Sequence, residues 1–201
     1  MARPKAKREV ILKSAASMFA IKGFHDTSIN EIAIHANIGK GTIYEYFNSK
    51  NTLFLEVIRY TTSQYLIRVK EELNKQTGFS NQMEAYLKIN SKLVEENFKA
   101  TGTFLATRDS LSAATENGQE IMGIFTALRN DTIDIIISIL EVGVSEGVVN
   151  YPSLEFAADM FLEMSSRVGM NIFFNQLDEA SIVTEHQKLI QLFLTGVGSR
   201  L

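Results

Sequence analysis

Residues 28–50, SINEIAIHANIGKGTIYEYFNSK, decide how the chain is read. Ser28 stands where a helix opens and Glu31 follows three residues later, so the hydroxyl accepts a backbone N–H while the carboxylate reaches back. Ile29, Ile32, Ala33 and Ala36 fall at i, i+3, i+4 and i+7 and form one apolar face. Asn37-Ile38-Gly39 interrupts that face over the short span a helix-turn-helix turn occupies. A second short helix follows, with Ile43 and Phe47 one turn apart and pointing back at the first. At about 100° per residue, the positions farthest from that pair are Glu45, Gly41 and Thr42, flanked by Lys40, Tyr44 and Tyr46. So short a helix is rarely stable alone, and its outward face is expected to serve a partner.

Duplex DNA is the partner such a helix suits, because it fits the major groove and its polar side chains reach base edges and phosphates. The run Gly39–Lys50, preceded by Gly23-Phe24, Thr27-Ser28-Ile29 and Ile32-Ala33, resembles the N-terminal domain of the tetracycline-repressor (TetR) family of bacterial regulators. The resemblance is close over about the first 50 to 55 residues, and beyond them covers only helix number and length. It implies an all-α fold: a three-helix DNA-binding domain over residues 1–50, and a larger helical bundle over 51–201 for effector binding and dimerisation. A homodimer on a palindromic double-stranded operator, released by a small apolar or aromatic effector, is the expected arrangement, with repression the commoner mode and the cytoplasm the expected compartment.

The resemblance also assigns residues. Thr42, Tyr44, Tyr46 and Lys50 would contact phosphates and groove walls, setting register and affinity more than sequence choice. Lys40 would reach a phosphate or a guanine, and Gly41 would let the backbone come close. Thr27 stands where free N–H groups favour a phosphate; its plainer role is to cap the helix. Glu45 departs from a phosphate-binding pattern: either its carboxylate accepts a hydrogen bond from cytosine N4, or it lies solvated at the groove rim.

Charge is distributed accordingly. The net value of −3 divides into +4 over residues 1–50, where eight basic side chains face four acidic ones, and −7 over the remainder. A basic head on an acidic body lets one part meet phosphates while the rest stays off them. Without cysteine there are no disulfides or thiolate metal sites. The basic N-terminus followed by Val10-Ile11-Leu12 imitates a secretory signal, but Lys13 breaks the apolar run and an amphipathic pattern continues to Ile21. No stretch reaches the roughly 18 apolar residues that span a bilayer, so no membrane partner is expected.

In chain order, a helix is expected from Lys7 to Ile21, closed by Gly23 with Phe24 folding onto Phe19. Residues 2–8 form a basic arm that either follows a phosphate backbone or is disordered. Asn48 or Ser49 caps a long helix over 50–74, roughly 37 Å at 1.5 Å per residue. Further helices are expected at 80–98, 102–115, 119–146, 154–176 and 183–197, with no strand alternation. The last two carry wide apolar faces, Phe156, Met160, Phe161 and Met164 in one, and Leu189, Ile190, Leu192, Phe193 and Val197 in the other. Small residues Ser165 and Gly169 admit a neighbouring helix. In the resembling family this pair builds the dimer interface, which assigns Phe161, Ser165, Gly169, Leu189, Phe193 and Val197 to it.

An effector pocket rests on the resemblance as well. Its candidate lining is Phe98, Phe104, Phe125 and Phe174 with the polar residues Arg108, Asn130, Asp134, Arg167 and Asn171, an apolar wall with a few polar anchors; each is otherwise ordinary core or interface. An enzyme finds little support, since His25, His35 and His186 are scattered and form neither a metal set nor a nucleophile arrangement, and no cofactor is expected. A helical activator, or an architectural or adaptor protein without an effector, is the alternative, separable by a ligand-dependent shift in melting.

Overall fold

The computed structural model describes residues 4–101 and 118–197. Among these the chain is all-α, in eight helices. α1 (Pro4–Asp26), α2 (Ile29–His35), α3 (Lys40–Tyr46) and α4 (Lys50–Leu73) come first. α5 (Phe79–Thr101), α6 (Gly118–Ser145), α7 (Leu154–Phe174) and α8 (Glu179–Val197) follow. The helix expected over 102–115 lies outside the described residues.

Local chemistry sets most of the boundaries. α1 is broken at Gly23, whose φ of 77° suits a residue without Cβ, and Phe24 then meets Phe19 with ring centroids 5.9 Å apart. Ser49 caps α4, its Oγ accepting the Thr52 N–H at 3.0 Å. α5 begins where the Glu146 carboxylate accepts the Phe79 N–H at 3.2 and 3.3 Å, so the end of α6 caps its neighbour. α6 closes in a Schellman turn, with Val148 N–H on the Gly143 carbonyl and Gly147 N–H on that of Val144. α8 starts at Glu179, not near 183, because the Asp178 carboxylate accepts the Ser181 N–H at 2.8 Å and serves as its cap. Hydrogen bonding from Ser181, its hydroxyl first and then its N–H, holds the Asp178 carboxyl below its usual range.

The chain forms two compact units: the described residues of Met1–Gln64 with those of Asn97–Thr126, and Tyr65–Glu96 with Ala127–Leu201. α4 and α6 each contribute to both.

In the first unit, Ile11, Leu12, Ala15 and Phe19 of α1 pack with Ile29, Ile32 and Ala33 of α2, Ile43 and Phe47 at α3, and Leu53 and Val57 of α4. A smaller cluster joins Leu55 and Ile58 to Ile121 and Ile124 of α6.

In the second unit the core has one stripe on each helix: Phe79, Met83, Tyr86 and Leu87 on α5, Ile135, Ile136, Ile139 and Leu140 on α6, Ala157, Ala158 and Phe161 on α7, and Leu189 and Phe193 on α8. α6 passes close to Phe79 of α5 at Gly143, where an added Cβ would stand 2.7 Å from Phe79 Cδ2 and 2.7 Å from Val149 Cγ2. No helix of the described residues is long and apolar enough to cross a membrane.

Candidate nucleic-acid interface

The interface is built from the start of α2. Ser28 Oγ accepts the Glu31 N–H at 3.2 Å, and the Glu31 carboxylate accepts the Ser28 N–H and hydroxyl, both at 2.8 Å. Lys22 of α1 ion-pairs with the same carboxylate. Chiefly through Lys22, and then through Ser28, the Glu31 carboxyl is held down at about 2. This capping box satisfies N–H groups that the first turn leaves free, and it ties α2 to α1.

The turn that follows depends on Asn37, whose φ of 53° lies in the left-handed region that Asn tolerates. Ile38 N–H then reaches the Ala33 carbonyl at 3.0 Å, and Gly39 caps α3 in an extended conformation. Seven residues cannot hold a helix on their own propensity. Ile43 and Phe47 are buried, each contributing about 1.5–3 kcal/mol by leaving water, and that burial fixes which face points outward. Lys40, Gly41, Tyr44 and Glu45 are exposed, while Thr42 and Tyr46 are half-buried beside them. The Lys40 ammonium stands 5.9 Å from the centroid of the Tyr44 ring, a cation–π contact that keeps both on one flank. A Cβ on Gly41 would meet nothing within 4 Å.

Two of the expected DNA contacts are committed elsewhere. Thr27 is 1% exposed, and its hydroxyl donates to the carbonyls of Gly23 at 2.7 Å and Met18 at 3.1 Å. It seals the end of α1, and Ser28 is the cap of α2; the hydroxyl expected to face a phosphate is turned inward. Lys50 donates to the His25 carbonyl at 3.0 Å and stands 4.5 Å over the Phe24 ring, joining the start of α4 to the end of α1. The basic arm is helical from Pro4. Within it Arg8 ion-pairs with Glu56 and lies 5.5 Å over the Phe47 ring. Glu56 also meets Arg59 at 3.6 Å, and Arg59 pairs with Glu120, so a chain of alternating charges runs from α1 across α4 to α6.

Of the residues expected at an effector pocket, Phe98, Phe104 and Arg108 lie outside the residues whose side chains are described. Phe125 packs on the Leu55, Ile58, Ile121 and Ile124 cluster. Asn130, Asp134, Arg167, Asn171 and Phe174 are exposed; the Asn171 side chain accepts from Asn175 at 2.8 Å, and Phe174 meets Phe173 with ring centroids 5.5 Å apart. An open cleft of about 440 Å³ in the second unit includes Asp134 alone of that set. Its other lining is Lys70, Asn74, Gln82, Asp131 and Ser138 over Leu73, Ile135, Ile139 and Val142.

Polar groups inside the second unit are different ones. Asn90 donates to Ser165 at 3.3 Å, Ser91 and His186 share a hydrogen bond at 2.8 Å, and all four are buried. Burial lowers the pKa of His186. The Tyr86 hydroxyl, fully buried, stands close to those of Tyr65 and Ser165 without a hydrogen bond among the described residues. Desolvation pushes Tyr65 up to about 12 and Tyr86 well above its usual value. The sequence carried a signal for this cluster: Phe79, Met83, Tyr86, Leu87, Asn90 and Ser91 continue one helical stripe, so its last two members fall on the buried side.

Of the residues expected at a dimer interface, Phe161, Ser165, Gly169, Leu189 and Phe193 are covered inside the chain itself, and the Val197 side chain lies outside the described residues. The apolar side chains that α7 and α8 turn outward are Phe156, 54% exposed, Met160, Val183 and Leu192, 63% exposed.

The first unit is thus a helix-turn-helix module, with a short second helix presenting a polar face on an apolar support. Residues 11–57 match the family described as bacterial regulatory proteins, tetR family. Over 84 residues the chain is 37% identical to the uncharacterized HTH-type transcriptional regulator YuxN of Bacillus subtilis, a match covering 42% of this chain and 28% of that one. It spans 26% to 49% of the length of three such B. subtilis regulators. Its fold is that of a crystal structure assigned to the TetR family from Mesorhizobium loti, with a TM-score of 0.77, 22% identity, and 99% and 100% of the two chains covered. It is likewise similar to FadR of B. subtilis solved in complex with stearoyl-CoA, with a TM-score of 0.69, 19% identity, and 94% and 98% covered. Residues 11–57 thus carry the DNA-binding module of the tetR family of bacterial regulatory proteins, and the chain shares its fold with solved structures assigned to that family.

Proposed function

We propose that the chain is a ligand-responsive repressor that binds a palindromic operator as a homodimer and is released by a small, largely apolar effector. The observation that carries this reading is α3: a seven-residue helix, pinned by Ile43 and Phe47, whose exposed face is Lys40, Gly41, Tyr44 and Glu45. An α-helix so presented suits the major groove, and the charge of +4 over residues 1–50 supplies the attraction to phosphates. On this reading Lys40, Thr42, Tyr44 and Tyr46 contact the backbone and groove walls, Gly41 permits close approach, and Lys50 braces the module through the His25 carbonyl and the Phe24 ring.

The dimer is supported by the exposed apolar side chains Phe156 and Met160, one turn apart on α7, and Leu192 and Val183 on the adjacent α8. Two copies related by a twofold axis present two α3 helices to one DNA face, which is what a palindromic site requires. The division of labour follows the chain: residues 1–50 read DNA, and residues 51–201 bind the effector and the partner. An apolar effector is supported by the fold shared with FadR in its stearoyl-CoA complex. Occupancy in the second unit changes operator affinity by linkage, and operator weakens effector binding by the same factor.

Selection of bound fragments from random and genomic DNA at two salt concentrations tests the reading, repeated with Lys40→Ala and Tyr44→Ala. The expected result is a palindrome with half-sites about one helical turn apart, affinity falling steeply with salt, and weakened binding in both variants. No enriched site, with weak binding indifferent to both changes, refutes it.

A further inference from the structure

We infer that Glu45 is a base-reading residue and that it selects a cytosine in each operator half-site; the inference rests on the DNA-binding reading above. On α3, Glu45 stands about 160° around the helix from both Ile43 and Phe47, and those two are buried. Its side chain therefore projects from the centre of the outward face. Gly41, one turn earlier on the same face, carries no side chain, and a Cβ there would meet nothing within 4 Å. The surface beside the carboxylate is bare backbone.

Its neighbours do not neutralise it. The Lys40 ammonium lies toward the Tyr44 ring, and Lys50 is spent on the His25 carbonyl and the Phe24 ring. Three other carboxylates of this unit are paired, Glu31 with Lys22, Glu56 with Arg8 and Glu120 with Arg59, while Asp26, outside α3, like Glu45 has no ion pair among the described residues. Glu45 has no ion pair or side-chain hydrogen bond among the described residues. A free negative charge at the middle of a face that approaches phosphates weakens binding to every DNA sequence, unless one sequence returns a hydrogen bond.

The chemistry of the groove says which sequence does so. An ionised carboxylate only accepts hydrogen bonds. In the major groove guanine offers the acceptors O6 and N7, and thymine the acceptor O4 with a methyl group. Adenine offers the N6 donor, but with the acceptor N7 beside it. Cytosine offers the N4 amino donor without an acceptor on its own edge, and is the base a carboxylate favours. Glu45 thus raises specificity from two sides, adding a contact at a C·G pair and repelling the alternatives.

The test is selection from a library of palindromes with randomised half-sites, using wild type, Glu45→Ala and Glu45→Gln, all checked for unchanged melting. Wild type is expected to retain one cytosine per half-site with about tenfold to hundredfold discrimination. Glu45→Ala is expected to lose preference at that position alone and to bind mismatched DNA several-fold more tightly. Glu45→Gln is expected to move the preference toward adenine, whose N6 and N7 match an amide. If Glu45→Ala selects the wild-type sequence with the same discrimination everywhere, the assignment fails while the operator reading stands. If wild type enriches no site, both fail.

Discussion

Replacing Gly41 by alanine separates what the fold needs at this position from what DNA needs. Gly41 is the second residue of α3, and a Cβ there reaches no heavy atom within 4 Å. The methyl group therefore costs nothing inside the protein. It removes backbone freedom from the unfolded chain, worth about 0.5–1 kcal/mol in a helix, which corresponds to a Tm about 1–4 °C higher for a chain of this size. In the complex the sign reverses. If the backbone at Gly41 lies against the duplex, an added methyl meets a surface that cannot recede, at a cost of about 1–3 kcal/mol, or roughly a 5–150-fold weaker Kd. Thermal unfolding of the free protein and anisotropy titration of the selected operator at fixed salt measure the two quantities on one preparation. A more stable protein that binds more weakly is the expected pair of results. Unchanged affinity refutes close approach at Gly41, and lowered stability refutes the open environment read from the structure.

Gly143→Ala tests the opposite case: the new Cβ meets the buried side chains of Phe79 and Val149 at 2.7 Å, so a loss of about 1–3 kcal/mol to overpacking outweighs the helix gain, and a urea midpoint above wild type would contradict it. Glu31 makes the first unit acid-sensitive: with its carboxyl held at about 2 against an ordinary 4.5, the stabilisation is full above about 4.5 and is lost as pH falls toward 2. Melting followed across that window is expected to show a slope that Glu31→Gln removes. Tyr86→Phe deletes a buried hydroxyl without a hydrogen bond among the described residues, so stability is expected to hold or rise; a clear fall in Tm would reveal a bond from that hydroxyl.

The DNA-facing unit was legible because its signals are local. Ser28 with Glu31, the apolar spacing of Ile29, Ile32 and Ala33, and the pair Ile43 and Phe47 each act within a few residues, and the structure realises all of them. Thr27 and Lys50 make contacts inside the chain for a common reason. Both sit beside helix ends where a phosphate is well received, but the carbonyls at the end of α1 are also unsatisfied there, and they are nearer. A residue's place in a motif does not say which of two acceptors it will meet.

The second unit shows a different limit. Spacing finds an apolar stripe but does not say what covers it, and α7 has two: Ala157, Phe161, Ser165 and Ile172 face inward, while Phe156 and Met160 face out. The small residues Ser165 and Gly169 do admit a close neighbour, as expected, but it is one within the chain: Ser165 receives Asn90 of α5. Polar residues carry the same ambiguity. Asn130, Asp134, Arg167 and Asn171 stand in apolar sequence yet lie on exposed faces, whereas Asn90, Ser91 and His186 hold the inward positions. An inward polar group costs stability unless it is bonded, and Asn90 with Ser165 and Ser91 with His186 are bonded across helices. Tyr86 is the exception: its hydroxyl is the one buried polar side-chain atom among the described residues without a hydrogen bond, so its desolvation is offset by the packing of its ring against Phe161.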